Sequence, residues 1–282
     1  MIEVGLLGPV EIRVDDQSRA LGGRKERAVL ALLATRVGRV VQLDWLVDQL
    51  WNGRPPRSAV NTVQSYLSRL RARLGPHGKE VMGREREGYI LRDSARVDTS
   101  EFTVAYERAG SALASGDFED ALAHGRLALG LWRGLPFLGI DDIEAIDGER
   151  RQLLDRRADV VLDMAEAAVS LGGALDPGVL PELDDLAEHH PWRERIWYVK
   201  SLVLYRLDRY SEAVACVASA ISALRQHKGL EPPALLVDLE QRLLRHDQSL
   251  LPPHGGPRGR TLRELGDIAS AANTPIVLVI IP

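Results

Sequence analysis

Arg54-Pro-Pro-Arg-Ser-Ala-Val-Asn-Thr-Val-Gln-Ser-Tyr-Leu-Ser-Arg-Leu-Arg-Ala-Arg-Leu74 reads as a helix with one apolar face and one cationic, hydrogen-bonding face. At the helical turn of about 100° per residue, Val63, Leu67, Leu70 and Leu74 fall within about 60° of one another. Arg57, Ser58, Asn61, Gln64, Ser65, Ser68 and Arg69 spread over the opposite side. From Gln49 through Lys79 there is no Asp or Glu but there are six Lys or Arg. A surface of that kind attracts phosphate.

Upstream, Leu43–Trp51 has the spacing of a helix burying Leu43, Leu46, Val47, Leu50 and one tryptophan, and Asn52-Gly53 ends it. Pro55-Pro56 then opens the third helix, since a first turn needs no intrahelical donor. A helix beginning at Arg24, with a charged first turn of Arg24, Lys25, Glu26 and Arg27, follows Gly22-Gly23. The first twenty residues alternate (Ile2, Val4, Leu6; Val10, Ile12, Val14) and predict two or three short antiparallel strands. Downstream, Val81-Met82 and Gly88-Tyr-Ile-Leu91 predict a hairpin tipped by Arg84, Glu85, Arg86 and Glu87. Strands, three helices and a hairpin, in that order, make an α+β winged helix-turn-helix. In such a fold the third helix enters the major groove, where every base pair shows a distinct donor and acceptor pattern.

Beyond Asp98 only helices are expected. The phrase Gly116-Asp-Phe-Glu-Asp-Ala121 is echoed by Leu207-Asp-Arg-Tyr-Ser-Glu-Ala213, each with an aromatic residue three before an alanine (Phe118 and Ala121; Tyr210 and Ala213). That is tetratricopeptide-like spacing, in which a large side chain packs over a small one and stacked helix pairs share a core. The expected division is therefore a winged-helix domain over 1–97, an all-α repeat domain over 98–250, and a linker with an unassigned tail over 251–282. The tail holds a candidate helix at 261–272 and a β-prone apolar segment at 275–281.

Charge follows the same division. The 282-residue chain has a formal net charge of -4, but residues 1–97 carry 17 Lys/Arg against 11 Asp/Glu, while the remainder is strongly acidic. A basic head beside an acidic body suggests a nucleic-acid module beside a partner-binding one. The single cysteine, Cys216, excludes an intrachain disulfide and fits a reducing cytoplasm. The N-terminus lacks the pattern of a signal peptide, and no apolar run is long enough to span a bilayer. No membrane partner is expected.

The phrases Leu6-Leu-Gly-Pro-Val-Glu11, Leu21-Gly-Gly-Arg-Lys-Glu-Arg-Ala28, Leu50-Trp-Asn-Gly-Arg-Pro-Pro56, Tyr66-Leu-Ser-Arg-Leu-Arg71 and Gly88-Tyr-Ile-Leu91 resemble the Streptomyces antibiotic regulatory protein family. His190-Pro-Trp-Arg-Glu-Arg195 and Gly229-Leu-Glu-Pro-Pro233 resemble that family's bacterial transcriptional activation domain. The resemblance covers about residues 1–250. It implies an OmpR-type winged helix that binds direct repeats in double-stranded promoter DNA, with a second copy of the chain on the second repeat. It also implies activation through RNA polymerase holoenzyme, in the cytoplasm on the nucleoid.

Carried over by position, Asn61, Gln64, Ser65, Arg69 and Arg71 face DNA. Asn and Gln pair with adenine and Arg with guanine. Arg24, Lys25 and Arg73 are expected on phosphates, which position without specifying, and Arg57 belongs to the same cationic face. The wing departs from the family's Thr-Arg-Pro-Pro-Gly-Tyr, placing Glu85 where an arginine is usual and leaving Arg84 or Arg86 to substitute.

Other readings of these residues are weaker. Trp45, Trp51 and Tyr89 sit beside aliphatic neighbours and are expected in the core rather than as base-stacking platforms. Neighbours on a helix point about 100° apart, so His189-His190 makes no metal site, and no metal or cofactor is expected. Nucleophile-elbow, phosphate-loop, zinc-protease and dinucleotide motifs are all missing, which argues against an enzyme. The competing reading is a helical-repeat adaptor whose winged helix no longer reads DNA.

Overall fold

A computed structural model describes residues 1–86, 88–172, 175, 178–228 and 233–250. The expectations for 251–282, and most of the phrase from Gly229 to Pro233, lie outside these residues. The described chain packs as two compact units, one of Met1–Ala105 with Leu127–Arg156, the other of Tyr106–Arg126 with the residues from Arg157 onward.

The first unit begins with strands β1 (Ile2–Gly5), β2 (Glu11–Val14) and β3 (Gln17–Arg19), then helix α1 (Arg24–Ala34), β4 (Val41–Gln42), α2 (Leu43–Trp51) and α3 (Ala59–Arg73). A 3₁₀ turn (Gly75–His77), a short α4 (Gly78–Val81), β5 (Met82–Glu85), β6 (Gly88–Leu91) and β7 (Ala95–Val97) follow, before α5 (Asp98–Ser115) starts. The alternation of the first twenty residues gives the expected antiparallel β1–β2–β3 meander, in register Val4↔Ile12 and Ile12↔Arg19. The sequence did not announce β7, which pairs parallel to β1 (Val4↔Val97) and completes a four-stranded sheet. Inward-facing Val4 and Ile12 are buried with Leu6 and Leu7, as period-two patterning requires.

Helices α1 and α2 match expectation closely. Ala28, Val29, Leu32 and Leu33 of α1, and Leu46, Val47 and Leu50 of α2, are buried, while Leu43 is half-buried. Asn52, left-handed at φ 49°, and Gly53, at φ 72°, end α2 as read. The third helix starts later than the prolines suggested. Pro disfavours the helical region for the residue before it, so Arg54 and Pro55 do not wind and α3 begins only at Ala59. The wing is a three-stranded sheet, β4–β6–β5, with β5 and β6 antiparallel (Arg84↔Tyr89, Glu85↔Gly88). Val81 closes α4 instead of opening a strand.

Residues Leu127–Arg156 complete this unit. The Arg133, Phe137 and Leu138 amides donate to the Leu7, Leu6 and Gly8 carbonyls at 2.7, 2.8 and 3.1 Å, extending the β1–β2 turn with non-local backbone bonds. Phe137 is fully buried there at φ 57°. Asp98 accepts the Leu6 and Leu7 amides at 2.8 to 3.0 Å and pairs with Arg133 at 2.9 Å. Arg150 donates to the Pro136 and Ile140 carbonyls at 3.0 and 2.5 Å, closing the loop between them.

The second unit is all helix. It takes residues from α5, α6 (Phe118–Gly130) and α7 (Glu144–Leu171), then α8 (Val179–His189), α9 (Glu194–Arg206), α10 (Tyr210–Lys228), α11 (Ala234–Leu244) and a 3₁₀ turn (Gln248–Leu250). The first aromatic-alanine pair packs as its spacing predicts, whereas Tyr210 of the second is 37% exposed. Ala121 packs with Ala112 and Ala167, and Phe118, Leu113 and Leu122 lie against them. Ala213 is fully buried, while Tyr210 stands edge-on to Tyr205 at 5.0 Å. The phrase His190 to Arg195 is structural: Trp197 Nε1 donates to the Pro191 carbonyl at 2.9 Å, Arg193 pairs with Asp159, and Arg195 joins Asp163 and Glu166 at 2.6 and 2.8 Å. Among the described residues no helix is long and apolar enough to cross a membrane, and no group of His, Cys, Asp and Glu is arranged to hold a metal.

Candidate nucleic-acid interface

Helix α3 buries one side and offers the other, as its periodicity dictates. Ala59, Val63, Leu67, Leu70 and Leu74 are at most 2% exposed. Asn61, Ser65, Ser68 and Arg69 are exposed, Gln64 is half-exposed, and Arg57 sits exposed in the turn leading into the helix. The Asn61 and Gln64 amides have no partner among the described residues, so their paired donor and acceptor groups are available. Ser65 already donates to the Asn61 carbonyl at 2.9 Å, which leaves its oxygen chiefly as an acceptor.

The arginines at the end of α3 differ sharply in freedom. Arg69 is 62% exposed and lies 3.8 Å from Glu26 of α1. Arg73 pairs with Glu26 at 2.9 Å and donates to the Ala20 carbonyl, so it is largely engaged within the fold. Arg71 donates from Nε to the Met82 carbonyl at 2.8 Å and lies over the Tyr89 ring at 5.2 Å. Its position faces the wing strands.

Arg24 and Lys25 open α1 beside this helix. Arg24 reaches the Asp141 carbonyl and stands 3.5 Å from the Asp142 carboxylate. Lys25 lies over the Trp51 ring at 4.1 Å, and partial burial, reinforced by the neighbouring Arg24 charge, holds its ammonium below the usual lysine range. These two, with Glu26, Tyr66, Arg69 and Arg73, border an open cleft whose rim includes Gly22 and Gly23. Trp51 and Trp45 are half-buried under cations, Arg36 covering Trp45 at 3.9 Å, whereas Tyr89 is core.

On the wing, Arg84 is exposed on β5 and Arg86 is exposed in the turn at φ 38°; Glu87 lies outside the described residues. Glu85 is answered across the hairpin by Arg92 at 2.7 Å, a partner that sequence reading missed. Glu26 was missed too. A carboxylate inside a charged first turn reads as solvated, yet this one is 2% exposed.

A winged helix presenting such a face, joined to a tetratricopeptide-like array, defines a class of bacterial transcription regulator. Two family profiles match accordingly: "Transcriptional regulatory protein, C terminal" over residues 17–91 and "Bacterial transcriptional activator domain" over residues 97–244. The chain belongs to the Streptomyces antibiotic regulatory protein family, with an OmpR-type DNA-binding domain and a bacterial transcriptional activator domain.

Among its relatives, the regulatory protein DnrI of Streptomyces peucetius is 31% identical over 88% of this chain and 94% of its own length. The regulatory protein AfsR of Streptomyces coelicolor is 33% identical over 96% of this chain, which spans only 29% of that longer protein. The transcriptional regulatory protein EmbR of Mycobacterium tuberculosis is 33% identical over 86% of this chain and 63% of its own length. A solved structure of M. tuberculosis EmbR in complex with a low-affinity phosphopeptide aligns with a TM-score of 0.79 at 29% identity, covering 96% of this chain and 71% of that one.

Proposed function

We propose that the chain is a sequence-specific transcriptional activator that inserts α3 into the major groove of promoter DNA, binds direct repeats with a second copy of itself, and recruits RNA polymerase holoenzyme. It controls pathway-specific genes, such as those of secondary metabolism, and acts in the cytoplasm on the nucleoid. The observation that carries this reading is the exposed side of α3, where Asn61, Gln64, Ser65 and Arg69 stand free of carboxylate neighbours on their own helix. Asn61, Gln64 and Arg69 contact base edges; Arg24, Lys25 and Arg57 lie along phosphates, whereas Arg73, expected there from the sequence, stays paired with Glu26; Arg71 supports the wing; Arg84 and Arg86 meet the adjacent backbone. The chemistry is non-covalent recognition, without catalysis. The acidic helical half complements basic surfaces of the polymerase.

Binding of the full chain to a promoter fragment bearing direct repeats, followed by fluorescence anisotropy across a salt series, tests the DNA reading. The logarithm of affinity is expected to fall by about 0.9 per phosphate contact for each log unit of salt. A flat salt response, or no binding to any promoter fragment at low salt, refutes it. Transcription in vitro on the same promoter tests recruitment: added chain raises promoter occupancy by polymerase, and unchanged occupancy overturns that part alone.

A further inference from the structure

Glu26 is a buried carboxylate between two arginines of the exposed helix. It is 2% exposed, accepts the Gly22 amide at 3.1 Å, pairs with Arg73 Nε at 2.9 Å and lies 3.8 Å from Arg69 Nη1. Its hydrogen bond is to the Gly22 amide, and its contact with Arg73 is charge pairing, the two kinds of partner that let a carboxylate stay buried. Arg69 and Arg73 are four residues apart, hence one above the other on the same side of α3. The single carboxylate therefore reaches both, holding Arg73 against α1 and drawing Arg69 by charge. Arg69 is further bounded by the Tyr66 ring, whose centre is 5.9 Å from its guanidinium carbon, and it still keeps 62% of its side chain in solvent.

We propose that Glu26 is a positioning residue for base reading: it fixes the direction in which Arg69 leaves α3 and withholds Arg73 from unspecific attraction to phosphate. This rests on the DNA reading given above. A carboxylate already occupies the place beside Gly22 and Arg73 where an outside anion would otherwise settle, so part of the cleft's positive charge is offset from within. Arg69 keeps its charge but loses freedom, and a guanidinium with fewer rotamers to surrender discriminates better between bases.

The experiment compares wild type, Glu26→Gln, Glu26→Asp, Arg69→Ala and Glu26→Gln/Arg69→Ala in the full chain. Each binds the direct-repeat fragment and its single-base variants, and each binds random duplex across a salt series. Glu26→Gln is expected to lose at least about fivefold of the preference at the base position that Arg69→Ala affects, the lower end of what a well-placed arginine contact supplies. Its salt slope on random duplex steepens by about 0.9, one added phosphate contact made by the released Arg73. Glu26→Asp recovers part of the preference, and the double variant loses no more than Arg69→Ala.

Unchanged preference in Glu26→Gln, or a double variant that loses more than Arg69→Ala, overturns the proposal while leaving DNA reading intact. Absence of binding by the wild type overturns both. Should the Gln variant fail to fold, the ¹⁵Nε resonances of wild-type Arg73 and Arg69 decide: hindered rotation at Arg73 with partial restraint at Arg69 supports the role, and free rotation at both overturns it.

Discussion

Arg71 ties the exposed helix to the wing through Tyr89, its guanidinium carbon 5.2 Å from the ring centre while its Nε donates to the Met82 carbonyl at 2.8 Å. The wing strands are thereby fixed against α3 by one side chain that combines a directed bond with a face contact. Arg71→Lys keeps the charge but loses the planar fork, so it is expected to lower stability by about 1 kcal/mol. Arg71→Ala should cost at least as much and weaken DNA binding through a looser wing. Chemical denaturation and anisotropy on the same samples check both.

Arg69 and Lys25 differ in what they recognise. Arg69→Ala is expected to relax base preference at one position of each repeat, a change of about 1 to 3 kcal/mol in discrimination. Lys25→Ala should weaken all duplexes alike and reduce the salt slope by about 1. Competition between the promoter fragment and its single-base variants separates the two outcomes. Wild-type selectivity in Arg69→Ala would remove α3 from the groove.

Gly88 lies where β6 meets β4, and an added Cβ would stand 2.5 Å from the Val41 carbonyl oxygen. That obstacle is backbone and cannot step aside. Gly88→Ala is expected to destabilise the wing by about 1 to 3 kcal/mol and to lower DNA affinity, measured by thermal unfolding and anisotropy. A variant as stable as wild type would contradict the β4–β6 register.

Asp98 makes a prediction about pH. Burial, the largest influence, pushes its carboxyl above the usual aspartate range, against the opposing pull of the Leu7 and Leu6 amides and Arg133. A carboxyl whose folded value lies above its unfolded one binds more protons when folded, so stability falls as pH rises from the unfolded value through the folded one. Asp98→Asn should remove that decline from the mildly acidic limb of the stability-pH curve. The variant also loses one of the two carboxylates facing Arg133, Glu11 remaining at 3.0 Å, and one of the two oxygens that accept the Leu6 and Leu7 amides, which lowers its stability across the pH range. Denaturant titrations at several pH values read both effects.

The Ala112, Ala121 and Ala167 cluster tests the helical array. All three are at most 7% exposed, so Ala167→Leu adds a bulky side chain where none fits. A loss of about 1 to 3 kcal/mol is expected, seen as a lower unfolding temperature. Unchanged stability would mean that the small-residue packing read from Phe118 and Ala121 is not what holds the array together.

Periodicity carried most of this fold. Leu43–Trp51 and the apolar face of α3 are local patterns, and each was readable because its residues bury on one side of one element. The end of α2 at Asn52-Gly53 was readable because both residue types tolerate the left-handed backbone found there. What escaped were relationships between distant residues. Nothing in Ala95-Arg-Val97 announces a parallel partner for β1, since three residues carry too little alternation. Glu26 and Arg73 are 47 positions apart, and no spacing rule links them. The residue types of the candidate site were legible as a cationic, amide-bearing face; which arginines are tethered and which stand free was not.

Phe137 has a practical corollary for anyone borrowing the DNA-binding head for a chimera. Its ring is sealed in the same packing unit as β1 and β2, delivered by chain that returns 30 residues after the last strand residue of that sheet at Val97. A transplant trimmed after the wing would leave Leu6 and Leu7 without the amides and the aromatic plug that close them off. The graftable module is discontinuous, so swapping heads between relatives calls for two splices into a host rather than a single cut.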